Sequence, residues 1–162
     1  MKTHLERKFI RCGRAGYPMF YNEDFALLPY AYDKTVACID NAKSMIFRII
    51  DRKTRNEAGE LALRIGESAG MFYLGHIGYH IDPPYRGKNG AYQACCLAIP
   101  LLRDMKLRTL VITTDDDNIP SIRTCEKLGC KLECTVDVPL PIQKKYEISA
   151  RKRRYIWFLA DD

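Results

Sequence analysis

The segment Arg86-Gly87-Lys88-Asn89-Gly90-Ala91-Tyr92 joins an apolar run to a helix-patterned stretch. A glycine-bearing turn that opens a helix collects free backbone N–H groups at the positive end of the helix dipole. Such a turn can hold a phosphate or pyrophosphate. Gly87 and Gly90 permit positive φ and close approach of a ligand, and Arg86 and Lys88 add positive charge. A tight strand-to-helix turn with exposed basic residues explains the segment equally well. The pattern is neither G-x-x-x-x-G-K-[ST] nor G-x-G-x-x-G, which sets aside a Walker-type NTPase and a dinucleotide fingerprint.

Proton transfer near neutral pH suits histidine, and His76 and His80 lie four apart in the preceding run. In a regular strand that spacing puts them on one face. Glu60 is a third candidate base. For each histidine taken singly, a structural or surface role is the plainer reading. Asp115, Asp116 and Asp117 could attract a cationic amine, but capping the next helix is more economical.

The elements that would position these residues follow from periodicity and punctuation. Residues 1–22 read as an N-terminal extension, 25–32 as an edge strand broken by Pro29, and 34–43 as a short helix. Met45–Ile50 and Glu60–Ile65 form a hairpin, and Met71–Ile81 reads as one long strand ended by Asp82-Pro83-Pro84. Gly75 and Gly78 inside it signal a bulge or a close backbone approach. A helix over Gly90–Met105 contains Pro100, which would kink it. A strand over Arg108–Thr114 follows, then a helix over Asp117–Leu128 with Asp117 or Asn118 as cap and Gly129 as stop. Cys130–Val138 and Tyr155–Leu159 close the sheet, with a basic loop over 139–153. This order predicts a single α+β, or mixed α/β, domain over 1–162.

Composition bounds the class. The chain has 162 residues, 47% hydrophobic and 28% charged, as one globular domain needs. No apolar run approaches the roughly 20 residues of a membrane span. The opening MKTHLERKF has no apolar core for a secretory signal, so a cytoplasmic protein is expected. Seven cysteines with no C-x-x-C pair read as free thiols in a reducing compartment, and no metal site is expected. The net charge of +6 is partly clustered at Lys144, Lys145 and Arg151 to Arg154. No aromatic platform or reading motif accompanies that charge, so a nucleic-acid partner is not expected.

Two motifs in order resemble the GCN5-related N-acetyltransferases, the GNAT family. Arg86 to Ala91 reads R-x-x-N-x-A against the family's Q/R-x-x-G-x-G/A, with Asn89 where glycine is usual. Asparagine is well suited to left-handed geometry, which keeps the loop plausible. Downstream, Asn118-Ile-Pro-Ser121 and Glu126-Lys-Leu-Gly129 resemble N-x-x-S and E-K-L-G. The likeness covers roughly 45–138 and extends to the closing strand 154–159. It is nearest to a general bacterial branch of the family.

The resemblance implies a GNAT fold: a splayed, mostly antiparallel sheet of six or seven strands flanked by helices, opening between the strands that end at Ile81 and Thr114. It implies acetyl-CoA as co-substrate. The pantetheine would pair with backbone at Tyr79, His80 and Ile81, and the pyrophosphate would sit on the N–H groups of Gly87 to Tyr92. Asn118 and Ser121 would contact the cofactor further along. The acceptor would be a primary amine of a small molecule or peptide, attacking the thioester directly once a base, often through water, has taken its proton; His76, His80 and Glu60 are the candidates the residues themselves offer. The oxyanion would be held by a backbone N–H near Ile81. Cys125 stands where the family often has a tyrosine acid, although a packed small residue explains it better. Thr113 stands where some relatives carry a glutamate, and threonine cannot be a base. Relatives are often homodimers. A CoA-binding module without turnover and a basic nucleic-acid-binding domain are the competing readings.

Overall fold

The computed structural model describes residues 20–33 and 42–159. They build one seven-stranded sheet in the order β1-β2-β3-β4-β5-β7-β6. The strands are β1 (Phe25–Asp33), β2 (Lys43–Asp51), β3 (Glu57–Ile65), β4 (Ile77–Ile81), β5 (Thr109–Asp115), β6 (Lys131–Asp137) and β7 (Arg151–Phe158). The helices are α1 (Ala69–Leu74), α2 (Gly90–Asp104), α3 (Ile119–Lys127) and α4 (Leu140–Tyr146). The architecture is the expected α+β one. The expected helix over 34–43 falls mostly outside the described residues, as does the extension up to residue 19; Lys43 already belongs to β2.

Alternation decides which way each strand faces. Phe25 and Leu27 of β1, Met45, Phe47 and Ile49 of β2, and Leu61 and Leu63 of β3 are all buried. They join Ile77, Leu110, Ile112, Tyr155 and Trp157 in one core, which Ala94, Cys95, Ala98, Leu101 and Leu102 of α2 cover. Ile122 and Cys125 of α3 complete that layer. Burying one such aliphatic or aromatic side chain contributes about 1.5–3 kcal/mol, so the row across the sheet anchors the fold. Pro29 sits at a register shift in the edge strand β1, where a missing N–H costs no ladder bond.

Two expectations are overturned. Met71–Ile81 is not one strand. Ala69–Leu74 forms α1, whose cap is Ser68, its hydroxyl accepting from the Met71 N–H at 3.1 Å. Gly75 then turns the chain with φ +70, and only Ile77–Ile81 is strand. Residues 139–153 are not a loop either. Pro139 and Pro141 suit a first turn that needs no N–H donors, and α4 follows. The next four basic residues, Arg151 to Arg154, belong to β7.

The sheet is antiparallel everywhere except at β4 and β5, which run parallel and pair only through Ile77 and Ile112. Beyond that pair the two strands diverge.

Candidate functional site

The divergence of β4 from β5 leaves a cavity of about 200 Å³ between them. Ladder geometry shows what faces it. The Arg64 N–H donates to the His76 carbonyl and the Asp82 N–H to the Ala58 carbonyl. Even-numbered residues of β4 therefore direct their backbone groups to β3. His80 follows this rule, since a side chain on Gly59 of β3 would lie 2.0 Å from the His80 carbonyl oxygen. Odd-numbered Tyr79 and Ile81 direct theirs toward β5, which has already turned away. The Ile81 carbonyl accepts from Arg86 Nε at 2.9 Å. This edge can take an added extended chain.

The loop from Arg86 to Tyr92 lies at the far end of this edge. Gly87 has φ +83 with no heavy atom within 4 Å of the place its Cβ would take. Asn89 is left-handed at φ 54 and ψ 32 and starts α2. The positive φ expected at Gly90 is taken by Asn89 instead. Gly90 is the first helical residue, and its Cβ would meet Ile81 Cδ1 at 3.1 Å. The first-turn N–H groups of Gly90, Ala91 and Tyr92 have no acceptor within their own helix. Lys88 reaches Asp51 at 3.6 Å, and its carbonyl accepts from Gln93 at 3.0 Å. Asp51 itself accepts from the N–H groups of Lys53 and Thr54. These bonds, the Thr54 N–H first, hold its carboxyl below the usual range despite its burial.

Asn118 caps α3, its side chain accepting from the Ser121 N–H at 3.2 Å, and both residues line the cavity. The Tyr79 hydroxyl lies 2.9 Å from Ser121 Oγ, with Cys125 beneath it. Burial pushes the Tyr79 phenol far above its ordinary value, so it stays neutral. Cys125 is fully buried. The Cys130 thiol donates to it, which draws the Cys125 value down and pushes that of Cys130 up.

The two histidines separate. His76 lies in the turn before β4, where its Nδ1 accepts the Val111 N–H at 3.0 Å and its Nε2 faces Glu67 at 3.3 Å. His80 is exposed and faces Asp82 at 3.2 Å. Neither lines the cavity. Glu60, paired with His80 across the ladder, is exposed outside it.

The acidic cluster does not cap α3. Asp115 binds Lys152 and Ser149, and Asp116 binds Arg153 at 2.7 Å. Burial pushes the Asp115 carboxyl up, but Lys152 and Ser149 outweigh it and hold the group low. Arg154 is buried against the Phe72 ring and carbonyl and donates to Glu133 at 2.8 Å. Arg151 to Arg154, expected mostly in a solvated loop, thus stand in an ion-paired strand. Arg64 and Lys152, both lining the cavity, were missed by sequence reading. Strand alternation from Gly78 was the available signal for Arg64.

The described residues hold no cluster of three or more metal-ligating side chains and no helix long and apolar enough to cross a membrane.

A family model described as an acetyltransferase (GNAT) domain matches residues 20–131. Comparison with curated proteins gives no match. Among solved structures, the chain is similar to the ribosomal-protein-S5-alanine acetyltransferase from Vibrio fischeri, at 19% identity and a TM-score of 0.58. That match covers 73% of this chain and 63% of the other. An acetyltransferase of the GNAT family from Bacillus anthracis gives 21% identity and a TM-score of 0.56, covering 72% and 67%. The microcin C7 self-immunity acetyltransferase MccE, solved with acetyl-CoA and AMP, also gives 21% and 0.56, covering 71% and 61%. The chain therefore spans less than two thirds of the first and third of these proteins. At these identities the likeness is one of fold.

Proposed function

We propose that this chain, which belongs to the GNAT acetyltransferase family, moves an acetyl group from acetyl-CoA to a primary amine by direct attack. The observation that carries this is the single-pair junction of β4 and β5 beside an anion-ready loop. The amine nitrogen forms a bond to the acetyl carbon, the carbon–sulfur bond breaks with its electron pair leaving on the CoA thiolate, and the amine proton is lost to solvent water.

The chain's residues fit the co-substrate. The open backbone groups of Tyr79 suit a pantetheine amide as a further strand would, while those of His80 are spent on β3 and the Ile81 carbonyl is taken by Arg86. The unobstructed Gly87, the left-handed Asn89 and the first turn of α2 suit a pyrophosphate, with Arg86 and Lys88 as counter-charges. Asn118 and Ser121 border the reacting end. When bound, acetyl-CoA supplies an activated thioester carbonyl. The Ile81 N–H faces the gap and serves as oxyanion donor. The Tyr79 hydroxyl, held neutral, donates a hydrogen bond rather than a proton. His76 and His80 serve as neighbours of β5 and Asp82, not as the base. The amine gives its proton to water. Cys125 serves as packing.

Residues 1–162 act as one domain, a reading that the continuous sheet of the described residues supports. The free thiols among the described residues support a cytoplasmic, reducing setting.

Thermal unfolding of the reduced protein with acetyl-CoA, and with ATP as anion control, tests the site. Ligand at about 100 times its Kd adds about 2.7 kcal/mol, a rise of about 5–10 °C for this size. A rise with acetyl-CoA alone, followed by acetyl mass gain on an amine, supports the enzyme. A rise without any transfer supports a CoA-binding module. No rise rejects both.

A further inference from the structure

Cys125 and Cys130 stand at the two ends of one backbone motif. Leu128 caps α3, and Gly129 follows with φ +75. The Gly129 N–H donates to the Glu126 carbonyl and the Cys130 N–H to the Cys125 carbonyl, each at 3.0 Å. This pair of bonds is a Schellman ending, which brings together the side chains three residues before and two residues after the cap. Here both are cysteines. Their thiols meet, Cys130 donating to Cys125. A disulfide tolerates Cα separations of about 4.4–6.8 Å, so two residues already joined by a backbone bond and a side-chain contact can be bridged without refolding.

The two sulfurs differ in access. Cys125 is fully buried, whereas Cys130 is half-buried and is the one a small oxidant reaches. On its inner side Cys125 accepts from the Tyr79 hydroxyl, which in turn accepts from Ser121 Oγ at 2.9 Å. Tyr79 and Ser121 line the cavity between β4 and β5. A chain of hydroxyl, phenol and two thiols thus runs from the cavity wall to the end of α3. Of the other described cysteines, Cys95 is buried in the core and Cys96 accepts from the Tyr92 hydroxyl.

We propose that Cys125 and Cys130 are a reversible oxidation site for a hydroperoxide, and that closing their disulfide releases Tyr79 at the cavity; the consequence for acetyl-CoA rests on the acetyltransferase reading. The pair ionises as a unit, and when Cys130 reacts the proton left between the sulfurs passes to Cys125. The Cys130 thiolate attacks one peroxide oxygen, the O–O bond breaks, and the other oxygen leaves as hydroxide and becomes water. The Cys125 sulfur then attacks the sulfur of the Cys130 sulfenic acid. Its proton goes to the departing hydroxide, which leaves as a second water. Two thiols lose two hydrogens and the peroxide is reduced to two waters. A disulfide sulfur holds neither charge nor proton, so the Tyr79 phenol loses the acceptor beneath it.

The test treats the reduced full chain with hydrogen peroxide, blocks the remaining thiols with N-ethylmaleimide and maps tryptic peptides by mass spectrometry. Trypsin cuts after Lys127, so the expected bridge joins the peptides that hold Cys125 and Cys130. It should disappear with dithiothreitol. No such bridge, or a disulfide formed in preference at another pair, overturns the site. Release of Tyr79 is read by urea unfolding. Tyr79→Phe should lower the midpoint of the reduced protein more than that of the oxidised protein, and an equal loss in both overturns the release. Calorimetric titration should show acetyl-CoA affinity weakened about fivefold or more by oxidation, the low end of ordinary coupling between sites. Cys130→Ser keeps a donor to Cys125, so peroxide should leave its affinity unchanged. Equal affinity of the reduced and bridged wild-type proteins overturns the coupling to the cavity. Failure of acetyl-CoA to bind even the reduced protein is the failure of the underlying reading, and the peptide map and urea comparison still decide the oxidation site.

Discussion

The hydroxyl of Tyr79 meets the hydroxyl of Ser121 at 2.9 Å, and this contact ties β4 to α3 across the open end of the sheet. Tyr79→Phe keeps the ring in place and removes the tie. A net intramolecular hydrogen bond contributes about 0.5–1.5 kcal/mol, so the urea midpoint should fall by that equivalent at unchanged m. A midpoint that does not move would show the tie to be energetically idle.

Gly87 separates backbone need from packing need. Its φ of +83 suits glycine, while nothing lies within 4 Å of its missing Cβ. Gly87→Val should therefore strain only the loop, at a cost of about 1–2 kcal/mol. We expect acetyl-CoA affinity to fall about tenfold or more, as that strain implies when the loop relaxes away from its binding geometry. Calorimetric titration checks it, with far-ultraviolet circular dichroism expected to be unchanged.

His76 gives a clean discrimination between base and brace. Its Nδ1 accepts the Val111 N–H at 3.0 Å. His76→Ala leaves that N–H without its partner, which costs about 1–3 kcal/mol. Stability should drop, while kcat per folded molecule at pH 8 should stay within about threefold, well below the 100-fold or greater loss typical of a missing base. A loss of kcat of that larger size would restore His76 as the base.

Acid should loosen the loop through Asp51. Its carboxylate value is lowered in the fold, so its contribution to stability is present above the unfolded value and lost as pH falls toward the folded one. The unfolded reference is 3.8, which places the loss below about pH 4. Asp51→Asn should flatten the stability profile in that window. It should also weaken acetyl-CoA binding at neutral pH, because Lys88 loses its partner. Chemical denaturation across pH 2.5–6 (roughly the span that brackets such a carboxylate) reads the first effect.

Much of this was legible in the chain. Asn118, Pro120 and Gly129 mark a helix by cap, first-turn proline and stop, and α3 forms between them. Arg86 to Tyr92 marked the loop, and Asn89 took the left-handed position its side chain tolerates. The stretch after Gly70 misled because Met-Phe-Tyr-Leu has strand composition. The capping serine at 68 and the turn at Gly75 outweighed that composition. Lys144 and Lys145 looked like loop charge, yet they lie in the last turn of α4, where positive side chains complement the helix dipole. Arg154 was unreadable as a core residue, because its burial depends on Phe72 and Glu133, distant in sequence. Pairings of that kind arise only when the sheet brings the segments together.

The lone Ile77–Ile112 pair makes the sheet two leaves on a short spine. One leaf is the four-stranded meander β1 to β4, and the other is the three strands β5, β7 and β6. Between them the sheet has little ladder to share, so most of their coupling passes through the packing of α2 and α3. A molecule seated along the free edge of β4 would act as a stitch between leaves. The amides of Tyr79 and Ile81 should exchange with solvent deuterium quickly in the apoprotein and slowly once the stitch is in place. Protection should then spread into β5, and the chain should melt with a sharper transition than it does alone.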